Sequence, residues 1–130
     1  MIKSIHNTKG IIIEVEPHYD GDLSEPNGVK FIFTYSITIK NNSETDVQLI
    51  SRKWEIFDSI GETHTVEGEG VVGEQPIIEK GESYSYSSWC PLDSNLGSMQ
   101  GHYVMKNLLT QELFHAEIPK FELAANWILN

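Results

Sequence analysis

A single cysteine, Cys90, stands among the 130 residues, so no internal disulfide can form and thiol content implies no oxidising compartment. Basic side chains are scarce as well: nine Lys and Arg face nineteen Asp and Glu, a net charge of -10. That imbalance argues against a nucleic-acid backbone as partner, and the longest basic cluster is only Arg52-Lys53. The acidic excess reads as a solvated face, compatible also with divalent cations or a basic protein surface. No 18 apolar residues run together, and Met1 to His6 lack the apolar stretch of a signal peptide, so the expectation is a soluble, cytoplasmic chain that does not enter a membrane. The Gly-x-Ser-x-Gly, zinc-protease and Walker patterns are missing, which points to neither an enzyme nor a cofactor.

What is present is β-pattern. The chain has the length of one domain, residues 1–130, able to bury about two thirds of its unfolded surface without staples. Phe31, Phe33, Tyr35, Ile37 and Ile39 alternate with mostly polar residues, as in a half-buried antiparallel strand. A polar cluster, Asn41 to Asp46, follows, and Val47-Gln48-Leu49 restarts the alternation, so the two runs predict a hairpin. Between Leu49 and Trp54 the parity slips, which predicts a bulge near Arg52. Residues 11–16, ended by Pro17, form an earlier strand, and 63–66, 83–87, 101–105 and 113–118 supply four more. Seven short strands with frequent turn signals and no 3.6-residue periodicity predict an all-β, seven-stranded antiparallel β-sandwich. The apolar tail, Phe121 to Asn130, covers its own core on the reading preferred here; a subunit contact, and hence a homodimer, is the alternative.

Val66 to Pro76 contains Gly68, Gly70 and Gly73 spaced as Gly-x-Gly-x-x-Gly. A dinucleotide fingerprint needs a helix behind those glycines to hold the pyrophosphate. Pro76 and the turn at Glu79-Lys80-Gly81-Glu82 leave no room for one, and Glu67, Glu69 and Glu74 would repel phosphate. The segment therefore reads as an irregular edge that uses positive φ at glycine and ends at a proline. A pyrophosphate or nucleotide held there through a divalent cation is the alternative. Arg52 and Trp54, re-aimed by the bulge, could grip an anion, or be an ion-paired arginine and a core indole. A symmetric turn through Asn107 to Thr110 sets Tyr103 opposite Phe114 and His102 opposite His115. Two facing imidazoles would hold Zn²⁺, Co²⁺ or Ni²⁺ if Glu117 joined them; a polar pair on the solvent face is the plainer reading. Cys90, with no reactive signature around it and Pro91 next, reads as a small buried hydrophobe.

Taken together, several segments resemble the bacterial ApaG family, sometimes called CorD: Val47-Gln48-Leu49 with Arg52 and Trp54; Val66 to Pro76; Gly81-Glu82 with Tyr84 and Tyr86; Gly97; Met99 to Tyr103 with Met105; Phe114; and Ile118-Pro119 with Phe121 and Leu123. The match spans nearly the whole chain, and Gly-x-Gly-Val-Val-Gly-x-Gln-Pro is specific. The resemblance implies a fibronectin-type-III-like sandwich in a family without an established enzymatic activity. Similar domains in some F-box proteins and in a polymerase-interacting protein imply contact with other macromolecules, while the bacterial members are linked to cobalt resistance and magnesium efflux. Carried over, it marks Gly68, Gly70, Gly73, Gln75 and Pro76, with Arg52 and Trp54, as the positions for a ligand or a protein partner. Lys80 and Asn95 stand where relatives often have proline, implying looser loops here.

Overall fold

In the computed structural model, which describes residues 2–26 and 28–125, the described chain is strands and turns throughout. Nine strands follow in order: β1 (Ser4–Thr8), β2 (Ile11–Glu25), β3 (Gly28–Asn41), β4 (Val47–Asp58), β5 (Glu62–Glu69), β6 (Ile77–Ile78), β7 (Ser83–Leu92), β8 (Leu96–Asn107) and β9 (Leu113–Ala124). They form two antiparallel sheets, ordered β1-β2-β3-β7 and β5-β4-β8-β9, with β6 added to β4. Among the described residues no helix is long and apolar enough to cross a membrane.

Alternation explains the layering. Ile11, Ile13, Val15, Phe33, Tyr35, Ile37 and Ile39 of one sheet meet Leu49, Trp54, Met99, Tyr103, Met105, Ile118, Phe121 and Leu123 of the other, all buried. Each large side chain so removed from water contributes about 1.5–3 kcal/mol of transfer free energy. Tyr35, Trp54 and Phe121 interlock at the centre, with ring centroids 5.4, 5.8 and 5.9 Å apart pairwise.

The two flanks of the sandwich differ. On one, the Ser4 hydroxyl donates to the Lys120 carbonyl at 3.2 Å and the Glu117 N–H donates to Thr8 Oγ1 at 3.2 Å, stitching β1 to β9. On the other, β7 and β5 end their respective sheets, and the gap between them stays open. The tail closes on its own core as far as it is described: Phe121, Leu123 and Ala125 are buried, and the Ala125 N–H reaches the Asn95 carbonyl at 3.0 Å. Residues 126–130 lie outside the described part.

The seven expected strands are all present, joined by the short β1 and β6, but three local details differ. Pro17 does not end β2, which continues to Glu25. Because β1 pairs only with Ile11 to Val15, Pro17 already lies on a free edge, where a missing N–H interrupts no ladder. The β4 bulge falls between Leu49 and Ser51, slightly before Arg52. The β8–β9 register is displaced by two residues because the connection runs from Leu108 to Glu112, longer than a symmetric four-residue turn; Tyr103 therefore opposes Ala116, and His102 opposes Glu117.

Candidate functional site

The bulge at Ile50 and the glycine run build one another. The carbonyl of Ile50 accepts both the Gly70 N–H and the Gln75 side-chain amide, each at 2.8 Å. The Leu49 N–H donates to the Pro76 carbonyl at 3.0 Å, and the Gln48 side chain donates to the Gln75 carbonyl at 3.1 Å. Arg52 sends Nη1 to the carbonyls of Glu69 and Gly70, at 3.1 and 2.8 Å. Its guanidinium lies so close over Gly68 that a Cβ there would meet Nη1 at 2.8 Å. Arg52, Gln75 and Pro76 thus hold the run in place through its own backbone, a different use from an exposed grip on an anion.

Val71 to Glu74 is a two-residue hairpin: reciprocal backbone bonds of 2.8 and 2.9 Å join Val71 and Glu74, with φ of 47° at Val72 and 78° at Gly73. Positive φ at both central residues is the type I′ turn that matches strand twist. Val71 is wholly buried, while Val72 is 65% exposed. A β-branched residue in the left-handed region is an outlier whose strain is of order 1–3 kcal/mol. Val72→Asn is therefore expected to stabilise the fold by about 1 kcal/mol in urea denaturation, since asparagine tolerates that conformation; an unchanged or lower midpoint would contradict the strain. The Gly70, Val71 and Glu74 amides are all donated inward, which leaves the run poorly disposed to act as a phosphate cradle.

This hairpin forms one wall of a cleft of about 470 Å³ on the open flank. Val66 and Val72 stand on one side and Trp89 on the other, with Tyr35, Trp54, Met99 and Cys90 among the residues lining it more deeply. Trp89 is 63% exposed, a large indole left in water at the rim. Trp54 is both core and lining, and Arg52 brings a positive charge beside it. Nearby, the hydroxyls of Tyr86 and Tyr103 share a hydrogen bond. Burial pushes both phenols up, and it pushes the Cys90 thiol from an ordinary 9.0 to about 11, aided by Asp58. Such a thiol is a poor nucleophile at neutral pH.

These raised values have a consequence at high pH. An acid whose proton is held more tightly in the folded state adds stability that is complete below its unfolded value and is lost as pH rises through the folded one. Unfolding free energy is accordingly expected to fall above about pH 9, as Cys90 and then the tyrosines ionise in the unfolded chain first. Urea midpoints from pH 7 to 11 test this, and a flat profile would contradict it.

The residues singled out by sequence fall into two places. Gly68, Gly70, Gly73, Gln75, Pro76, Arg52 and Trp54 gather at the open flank. His102 and His115 lie on the outer face of the β4–β8–β9 sheet, diagonal to one another rather than directly opposed. Sequence reading missed the exposed Trp89 and the strained Val72; the pair Val72-Gly73 between Val71 and Glu74 was the available signal for a tight hairpin.

A two-sheet antiparallel sandwich, stitched along one flank and open to an apolar cleft along the other, defines the class: a small all-β domain. Comparison with known proteins refines it. The family model described as the ApaG domain matches residues 21–107. A protein named ApaG from Brucella canis is 47% identical over 116 residues, 89% of this chain and 88% of that one. Its namesake from Vibrio vulnificus is 48% identical over 120 residues, 92% and 94% of the two chains. The chain belongs to the ApaG domain family. A crystal structure of a Bordetella pertussis protein described as ApaA superposes with a TM-score of 0.80 at 33% identity, covering 94% of both chains. A Bacteroides uniformis β-glucuronidase shares only the fold, with a TM-score of 0.54 at 15% identity over 13% of its own length.

Proposed function

We propose that this ApaG-family chain is a non-enzymatic interaction module whose open flank takes an extended segment of a protein partner. The observation that carries the reading is Val72. A strained, exposed, β-branched side chain at the mouth of an apolar cleft is a local departure that costs stability, and such departures concentrate where a surface is used. Trp89 supplies the rigid aromatic anchor typical of protein contacts. The outer edge of β7, the last strand of its sheet, offers backbone groups to a partner strand as far as Pro91, which has no N–H to give. The net charge of -10 and the exposed Glu67, Glu69 and Glu74 favour a segment carrying Lys or Arg beside an apolar residue. On this reading the family's link to cobalt resistance and magnesium efflux is exerted through the bound protein.

A library of ten-residue peptides selected on the immobilised protein tests the proposal. Selected peptides should move the amides of Ser83 to Cys90 and the Trp89 indole in NMR titrations. Trp89→Ala and Val72→Asp should each weaken binding by about tenfold or more. Peptides that bind undiminished to both variants would overturn the reading. So would a selection that yields none with a Kd below about 1 mM while ATP or pyrophosphate with Mg²⁺ moves Gly68 to Gly73 saturably.

A further inference from the structure

The outer face of the second sheet carries an organised row. Glu67 of β5 opposes Lys53 of β4, Lys53 opposes His102 of β8, and His102 opposes Glu117 of β9. His115, two residues before Glu117, projects from the same face of β9 and stacks on His102, with ring centroids 4.0 Å apart and planes 10° from parallel. One donor atom from each of His102, His115 and Glu117 lies within 4.8 Å of the other two.

From this juxtaposition we infer a binding site for a divalent transition cation of the zinc type, held by His102, His115 and Glu117, with its fourth position open to water. Two imidazoles and a carboxylate are the ligand set of many open tetrahedral zinc sites. An ion with bonds of about 2.1 Å needs its ligand atoms about 3.4 Å apart, so the donors must draw together by side-chain rotation and the two imidazoles must leave their parallel stack. The hard ions Mg²⁺ and Ca²⁺ prefer all-oxygen shells and are excluded by the two nitrogens.

The backbone under these side chains is fixed. Gly101 permits so close an approach of β8 to β4 that a Cβ there would lie 1.9 Å from the Lys53 carbonyl, which sets the position of His102 next to it. The Glu117 N–H is held by Thr8 Oγ1 at 3.2 Å. Lys53, the cation facing the site, is drawn toward Glu67 at 3.7 Å, across the row from Glu117. Burial, then His115 and Lys53, lower the basicity of His102, while Glu117 and Glu67 raise it.

Calorimetric titration of the full chain with ZnCl₂ at pH 7.5, together with the visible spectrum of the Co²⁺ form, tests the site. One ion should bind saturably, with the intense visible absorption of four-coordinate Co²⁺. His102→Ala, His115→Ala and Glu117→Gln should each weaken binding by at least the roughly 10–100-fold that loss of a supporting residue costs at metal sites. His64→Ala, altering a histidine next to Glu62 on β5, should leave it unchanged. The substituted side chains are at the surface of a formed hairpin, so the variants should retain wild-type thermal unfolding. Undiminished affinity in the His102→Ala, His115→Ala double variant, or no saturable binding by the wild type below about 1 mM, would overturn the assignment.

Discussion

Gly70→Val is expected to lower the free energy of unfolding by about 3 kcal/mol or more, from two separate causes. Gly70 has φ of 62°, and a left-handed residue with a side chain costs about 1–2 kcal/mol before any packing is counted. In addition, a Cβ there would lie 2.1 Å from the Glu74 carbonyl oxygen, which belongs to backbone and cannot swing away. Accommodating it means moving the Val71–Glu74 hairpin off the Ile50 bulge, at a further cost of about 1–3 kcal/mol. The urea midpoint should fall by roughly 1–3 M for a domain of this size. Gly73 is the internal control: its φ is also positive, at 78°, but nothing lies within 4 Å of an added Cβ, so Gly73→Asn should cost little. Equal losses at the two positions would show that the crowding at Gly70 is not what matters.

Asn41→Leu is expected to be nearly as damaging, although it replaces one side chain by another of similar size. Asn41 is fully buried at the end of β3 and every polar atom of its side chain is engaged. Its Nδ2 donates to the carbonyls of Thr45 and Ile78 at 2.9 and 2.8 Å, and its Oδ1 accepts from the Ser43 N–H at 3.0 Å and the Ser43 hydroxyl at 2.6 Å. Its backbone joins Glu82 and Gly81 at 2.9 and 2.7 Å, so one residue ties β3 to β6 and to the turn before β7. Leucine keeps the branched shape, with bulkier methyls in place of the amide, but strands those partners, each at about 1–3 kcal/mol where water cannot replace the lost bond. A fall in Tm of about 10 °C follows for a domain of 130 residues. A change under about 2 °C would mean that water fills the role of the amide, against the burial seen here.

Most of the sandwich could be read from the chain because period-two alternation is a local signal that most of the expected strands carry, although β5, exposed along nearly all its length, does not. With no helix to serve, the glycines of the run were left to conformational freedom or close approach: Gly70 and Gly73 have positive φ, while Gly68 does not and instead lies under the Arg52 guanidinium. What escaped was non-local. Pro17 looked like a strand end because the shortness of β1, which leaves that part of β2 at an edge, cannot be judged from Pro17 and its neighbours. The His102 and His115 contact was reached through a symmetric turn that the chain does not use; they meet because the two-residue displacement preserves side-chain parity and leaves them diagonal on the same face. Arg52 and Gln75 were expected to face a ligand or partner, whereas their hydrogen bonds go to the glycine run and the bulge. The cleft is made by β5, β7 and the Val72 hairpin together, so Trp89 acquired its place only once the two sheets were stacked.

Amide hydrogen exchange at Gly70, Val71 and Glu74, followed with and without pyrophosphate and Mg²⁺, bears most directly on the view that this glycine run is fastened to the Ile50 bulge to shape a cleft. Their N–H groups bond to the carbonyls of Ile50, Glu74 and Val71 at 2.8, 2.8 and 2.9 Å, so exchange should be slow and indifferent to the anion. Exchange at the rate of an unstructured peptide, or protection that grows saturably with pyrophosphate, would contradict it.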